Sequence, residues 1–172
     1  YLPFKNISKS IVEEFFIIWH TEFENLNFNW NSFVHKDFEL SNLMYLQNRK
    51  EHLKCGILDY QNAFIGFSGW DVFSLLENPR IYFDNKYNDE LIEYFYNNTN
   101  QNISFGEFLN QYYFLNTARQ SRIIGRWINL DKKNKNNFYS KYLHVTLKRL
   151  KKSLYYLQNP KLSKIYSKIL VK

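Results

Sequence analysis

"FVHKDFELSN" (Phe33–Asn42) is followed directly by the apolar run "LMYL" (Leu43–Leu46), then the charged octapeptide "QNRKEHLK", then "CGILDY" (Cys55–Tyr60). Two short apolar runs closed by a polar turn predict an antiparallel hairpin, Leu43–Leu46 against Cys55–Leu58. Gly56 inside the second run predicts a close backbone approach or a bulge. Such a hairpin returns Asp59 to the loop that precedes the first strand, although 22 residues separate it from Asp37. Asp37, Asn42 and Asp59 then converge as two carboxylates and an amide oxygen.

Oxygen donors of this kind suit Mg²⁺, which keeps several waters and shares its shell with nucleotide phosphates. In phosphoryl transfer the acceptor hydroxyl must be oriented and relieved of its proton, and the phosphate charge must be neutralised. Asp37 has the chemistry for the first task, and Asn42 with Asp59 for holding Mg²⁺ against ATP.

Around this stretch the chain is mostly helical. "ISKSIVEEFFIIWHTEFENL" places Ile11, Val12, Phe15, Phe16, Trp19 and Phe23 at helical spacing after a Ser8 or Ser10 cap, and predicts a largely buried helix. His20 on that helix reads as a packed or surface histidine, because no second ligand lies one turn away. "GWDVFSLLENP" reads as a short helix ended by Pro79, and "NDELIEYFYNN" as another with Asp89 and Glu90 near its start. Ser104 and Glu107 form a capping box ahead of a long helix toward Trp127. Leu143, Leu147, Leu150, Leu154 and Leu157 step by four and three along one face of a further helix, stopped by Pro160 and followed by a last one. The predicted class is α+β, mostly helical, with one small β-hairpin.

The bulk numbers bound the alternatives. A 172-residue chain with 45% hydrophobic and 20% aromatic residues has enough apolar surface for one packed domain. Cys55 is the single cysteine, which rules out an intrachain disulfide and a cysteine zinc cluster and fits a reducing, cytoplasmic compartment. No apolar run reaches the roughly 18 residues of a membrane span, and "YLPFKNISKS" does not read as a signal peptide. The sequons at Asn6, Asn97 and Asn102 read as chance in an Asn-rich chain. Residues 131–172 carry twelve Lys or Arg against one acid (Asp131), a net +11, whereas residues 1–130 carry eleven against fifteen, a net −4. The basic end reads as a solvated helix face in preference to a nucleic-acid or membrane contact, since neither stacking motifs nor zinc-finger spacing accompany it.

His35-x-Asp37-x₄-Asn42 with Asp59 at a strand end resembles the catalytic loop and metal-binding aspartate of the kinase-like superfamily. "GILDYQNAFIGFSGWDVFSLL" resembles the family's continuation into a helix, where Asp71 matches an aspartate whose role there is structural. The resemblance implies that His35 and Asp71 support the site, that Asp37 is catalytic, and that Asn42 and Asp59 bind metal. His-Lys-Asp in place of His-Arg-Asp, and the absence of an Ala-Pro-Glu landmark, are similar to the small-molecule arm that holds aminoglycoside phosphotransferases and choline kinases. Within that arm, "HKDFELSNLMYL", "GILDYQNAFIGFSGWDVFSLLENPR" and "ARQSRIIGRW" look most similar to bacterial kinases of N-acetylmuramate and N-acetylglucosamine. The implied function is ATP- and Mg²⁺-dependent phosphorylation of a hydroxyl on a small molecule, an amino sugar foremost. Aminoglycoside or choline as acceptor, and a non-catalytic binding module using the basic helices, stay open as alternatives.

Departures from the family fall at Glu39, where many relatives have His, and at Asn62, where relatives often have Asp. Glu39 bears on hydroxyl selectivity. Arg119, with Arg122, lies on the helix that walls the substrate side in this family, as an anion contact or as an ordinary surface arginine. A complete kinase also needs a Gly-rich loop and a strand lysine, yet the first glycine here is Gly56 and the chain begins at Tyr1. Residues 1–172 are therefore expected to form a single C-terminal lobe, a fragment without the ATP-binding lobe. Alone it is expected to transfer phosphate at no useful rate.

Overall fold

The computed structural model describes residues 7–28, 30–81 and 85–170. Tyr1, Asn6 of the first sequon and most of "YLPFKNISKS" lie outside them. The elements run α1 (Lys9–Glu24), β1 (Ser32–Val34), β2 (Leu43–Tyr45), β3 (Cys55–Ile57), β4 (Phe64–Gly66), α2 (Trp70–Leu76), α3 (Asn85–Asn97), α4 (Phe105–Asn134), α5 (Leu143–Leu157) and α6 (Pro160–Leu170). The chain is mostly helical with two small antiparallel sheets, an α+β arrangement. It divides into two compact units, residues 28–108 and residues 1–27 with 109–172.

In the first unit, β2 pairs with β3 in the register Leu43↔Ile57, Met44↔Gly56, Tyr45↔Cys55. The ladder extends past both ends, with Leu46 N–H on Lys54 O (2.7 Å) and Leu58 N–H on Asn42 O (2.9 Å). It is regular through Gly56, without a bulge. A Cβ there would lie 3.3 Å from Leu46 Cδ1, so what crowds Gly56 is a side chain and not the expected close backbone. The sequence did not reveal a second sheet. β1 pairs with β4, Ser32↔Gly66 to Val34↔Phe64, where a single hairpin was expected. Behind the strands, Phe67, Phe73, Leu76, Ile92 and Phe108 are buried. Gly69 precedes α2 because a Cβ would fall 2.5 Å from the Phe67 ring and 3.0 Å from that of Phe108.

The reciprocal capping box opens α4: Ser104 N–H donates to Glu107 Oε2 (2.9 Å) and Glu107 N–H to Ser104 Oγ (3.3 Å). In the other unit α4 packs with α1, α5 and α6 around Tyr112, Phe114, Leu150, Leu162, Ile165, Tyr166 and Ile169. Several polar groups inside this core bond one another. Asn116 Nδ2 donates to Ser153 Oγ (2.8 Å) and Gln120 Nε2 to Asn116 Oδ1 (3.0 Å). Tyr166 shares a 2.6 Å hydrogen bond with Ser121, and burial pushes its phenol up to about 12. Asp131 near the end of α4 accepts from the N–H groups of Tyr139 and Ser140 and from the Ser140 hydroxyl. Burial opposes ionisation of Asp131, but these bonds outweigh it and hold the carboxyl below its usual range.

Two expectations are corrected here. Helix α1 is not largely buried: none of its residues is fully buried, and Phe16, Ile17 and Phe23 are exposed. Its apolar residues run most of the way round, whereas only the stripe through Phe15 and Trp19 meets Phe114 and Tyr166. Pro160 does not stop α5, which ends at Leu157 on a left-handed Gln158 (φ 48°). It opens α6 instead, where a proline's missing N–H costs nothing, with Asn159 Oδ1 capping Leu162 N–H.

The basic helices are partly neutralised from within. Lys168 pairs with Glu14 and Lys161 with Glu22, and Asn159 also donates to Glu22. The Lys161 hydrogen bond holds the Glu22 carboxyl below its ordinary 4.5 against the effect of burial. The unfolded chain therefore binds more protons in acid, and this stabilisation is present above that value and lost as pH falls through the folded one. Glu22→Gln should lower unfolding free energy by about 1 kcal/mol at pH 7. Urea titrations should find that difference shrinking toward zero by pH 3, and an equal difference at both pH values would contradict the assignment.

Candidate functional site

The site is built on the turn that leaves β1. His35 N–H donates to Asp71 Oδ2 (2.7 Å) and Lys36 N–H to Asp71 Oδ1 (3.0 Å), so one carboxylate receives two consecutive amides. Lys36 adopts φ 78°, a left-handed conformation rare for a long side chain. Surrounding bonds over-determine it. Its carbonyl accepts from Trp70 Nε1 (3.3 Å) and Ser74 Oγ (3.4 Å). The β1–β4 ladder makes this possible by bringing the exit of β1 near the start of α2, which carries Trp70, Asp71 and Ser74. The turn delivers Asp37 to the surface as an exposed carboxylate.

His35 is buried, and its Nε2 lies 2.8 Å from Leu58 O. A carbonyl only accepts, so Nε2 carries the hydrogen. Leu58 is thus held on both backbone atoms, by His35 and by Asn42. Asp59 follows it at φ 65°, a left-handed conformation that Asp tolerates better than most residues.

Asn42 closes the short 3₁₀ turn Leu40–Asn42. Its N–H donates to Glu39 O (2.8 Å) and its Nδ2 to Asp37 O (2.8 Å). With its carbonyl on Leu58 N–H, the oxygen left for a ligand is Oδ1. Asn42 Oδ1 and the exposed Asp59 carboxylate are hard donors that fit Mg²⁺. Among the described residues no group of three or more His, Cys, Asp or Glu is placed to hold a metal. A cation at Asn42 and Asp59 would complete its shell with water or phosphate oxygens.

The strand-bearing unit therefore connects His35, Asp37, Asn42, Asp59 and Asp71 through one bonded framework. Glu39 belongs to it too, through bonds that the sequence did not announce. Its Oε2 accepts from Asn78 Nδ2 (2.6 Å), its Oε1 from Ser41 Oγ (3.1 Å), and Arg80 lies 3.8 Å away. The "NPR" that follows α2 was the available signal, read as a helix stop and as part of the kinase-like stretch. Arg119 lies in the helical unit on α4, half-buried, with Arg122 exposed on the same helix.

No family model matches the chain. It is similar to the N-acetylmuramate/N-acetylglucosamine kinase of Caulobacter vibrioides, 23% identical over 100 residues that cover 46% of this chain and 28% of that protein. The matched region spans less than a third of the relative's length. The likeness is a distant one to a kinase.

Burial raises the Asp71 carboxyl above its ordinary 3.8, against the lowering effect of the His35 and Lys36 amides. Its pH contribution therefore runs opposite to that of Glu22, being present below 3.8 and declining as pH rises through the folded value. Asp71→Ala strands both amides and should cost about 2–4 kcal/mol. Asp71→Asn, which keeps one acceptor, should cost less. Urea titration at constant pH measures both, and a loss within about 0.5 kcal/mol for the alanine variant, the range of an ordinary surface change, would contradict the framework.

Proposed function

We propose that this chain is the C-terminal lobe of an ATP- and Mg²⁺-dependent phosphotransferase, both units included, that phosphorylates a hydroxyl of a small molecule. An amino sugar is the foremost acceptor. The observation that carries the reading is the β2–β3 ladder, which ties Asn42 to Leu58 and so sets Asp59 at the end of the loop that holds Asp37. The distant likeness to an amino-sugar kinase supports the same class.

Asn42 and Asp59 would hold Mg²⁺, which when bound supplies neutralisation of the ATP phosphate charge. The chain's own residues do the rest. Asp37, exposed at the end of an over-determined turn, accepts a hydrogen bond from the acceptor hydroxyl and takes its proton as the oxygen attacks. Asn42 Nδ2 holds the Asp37 carbonyl and so fixes the backbone from which that carboxylate projects. His35 and Asp71 touch no substrate in this scheme. They set the backbone on either side of Lys36 and at Leu58.

The binding-module alternative draws on the basic helices. Two of their lysines, Lys161 and Lys168, are engaged by acids of α1, which weakens it. The test uses the protein from its complete reading frame, with ATP and a panel of N-acetylmuramate, N-acetylglucosamine, an aminoglycoside and choline. Transfer should be greatest to an amino sugar and fall on the order of 10²–10⁴-fold in kcat for Asp37→Ala. Transfer to none of the four would sink the proposal, as would transfer that survives Asp37→Ala.

A further inference from the structure

Glu39 stands two residues beyond Asp37 in extended backbone (φ −139°, ψ 160°). Between them Phe38 meets the His35 ring edge-on, with centroids 6.0 Å apart. Asn42 ties the two residues together, its Nδ2 on Asp37 O (2.8 Å) and its N–H on Glu39 O (2.8 Å). Two carboxylates carried by one such clasped loop suit an acceptor that offers two hydroxyls.

The Glu39 carboxylate is also held in place. Asn78, which is 2% exposed, donates Nδ2 to Glu39 Oε2 (2.6 Å) and accepts Arg80 N–H on its Oδ1 (3.0 Å). Both ends of the buried amide are therefore used, and it has one orientation. Ser41 and Arg80 secure the other carboxylate oxygen. The Glu39 side chain nevertheless keeps 20% of its surface exposed, and carboxylate oxygens have lone pairs beyond those engaged here.

We propose that Asn78 is a positioning residue which, backed by Arg80, fixes Glu39 as a second hydroxyl acceptor beside Asp37, so that the site selects polyols over single alcohols. One hydroxyl donates to Asp37 and is phosphorylated. A neighbouring hydroxyl donates to Glu39. This rests on the phosphotransferase reading above. An acceptor that lacks the neighbouring hydroxyl forfeits a hydrogen bond to a carboxylate already held in the orientation to receive it.

Initial-rate kinetics on the protein from its complete reading frame test it. The acceptors are the best amino sugar of the panel, its deoxy analogue lacking the hydroxyl next to the phosphorylated one, and choline. Asn78→Ala should raise KM for the sugar about 10–100-fold with kcat little changed, and leave KM for the deoxy analogue where it was. Glu39→Gln keeps the side chain's volume and should act in the same direction, which covers the case that the buried Asn78 variant does not fold. An unchanged sugar KM in both variants, or equal weakening of sugar and deoxy analogue, would overturn the inference. Wild-type protein that uses both equally well would overturn it alone. Wild-type protein that phosphorylates no acceptor would remove the phosphotransferase reading and this inference together.

Discussion

The Asp71 carboxylate is the constraint on which the site depends. It accepts the amides of His35 and Lys36, two neighbours that would otherwise lose their partners as the chain leaves β1. In return the chain can take a left-handed step at Lys36, a conformation that costs roughly 1–3 kcal/mol for a residue of this type. That step turns Asp37 outward. Further bonds hold the loop beyond it: the Asn42 amide on Asp37 O, the Asn42 carbonyl on Leu58 N–H and the imidazole of His35 on Leu58 O.

This framework is built almost entirely from backbone groups bonded to buried and half-buried side chains. Such bonding fixes positions more tightly than exposed ion pairs do, because each lost bond leaves a desolvated group behind. The residues proposed to meet ligands, Asp37 and Asp59, are by contrast exposed. Rigid supports with reachable functional groups are what positioning chemistry requires. In the helical unit the same economy governs charge. Glu14, Glu22 and Asp131 each serve a specific partner, so the strongly basic C-terminal sequence is not simply an unopposed cationic surface.

Local determinants made part of this legible in advance. The β2–β3 hairpin and the Ser104–Glu107 box each depend on residues close in sequence, so their patterns can be read directly. The leucine stripe located helix α5 but not its buried face, which runs through Thr146, Arg149, Leu150 and Ser153. The β1–β4 ladder could not be read that way. Each strand has three residues, which is too short for alternation to show, and the partners lie some thirty residues apart. Burial of α1 was overestimated because its apolar residues occupy more than one face, and sequence alone does not say which face finds a partner. Asn159–Pro160 was read as an ending because proline breaks helices as readily as it starts them. Spacing singled out Asp37, Asn42 and Asp59 as candidates, and the resemblance added Asp71 and Glu39, but the clasp on Glu39 lay hidden. An Asn and an Arg after a helix look like any surface turn until the fold brings them to a carboxylate.

The central claim is that Asn42 and Asp59 present one cation site beside Asp37. Titration of ¹⁵N-labelled chain with Mn²⁺, a paramagnetic stand-in for Mg²⁺, tests it most directly by mapping which backbone amides broaden. Broadening should concentrate at Asn42 and Asp59 and in the Asp37 loop, and should disappear there in Asp59→Ala. Broadening spread over the exposed acids of α1 and α3, or unchanged by Asp59→Ala, would contradict it.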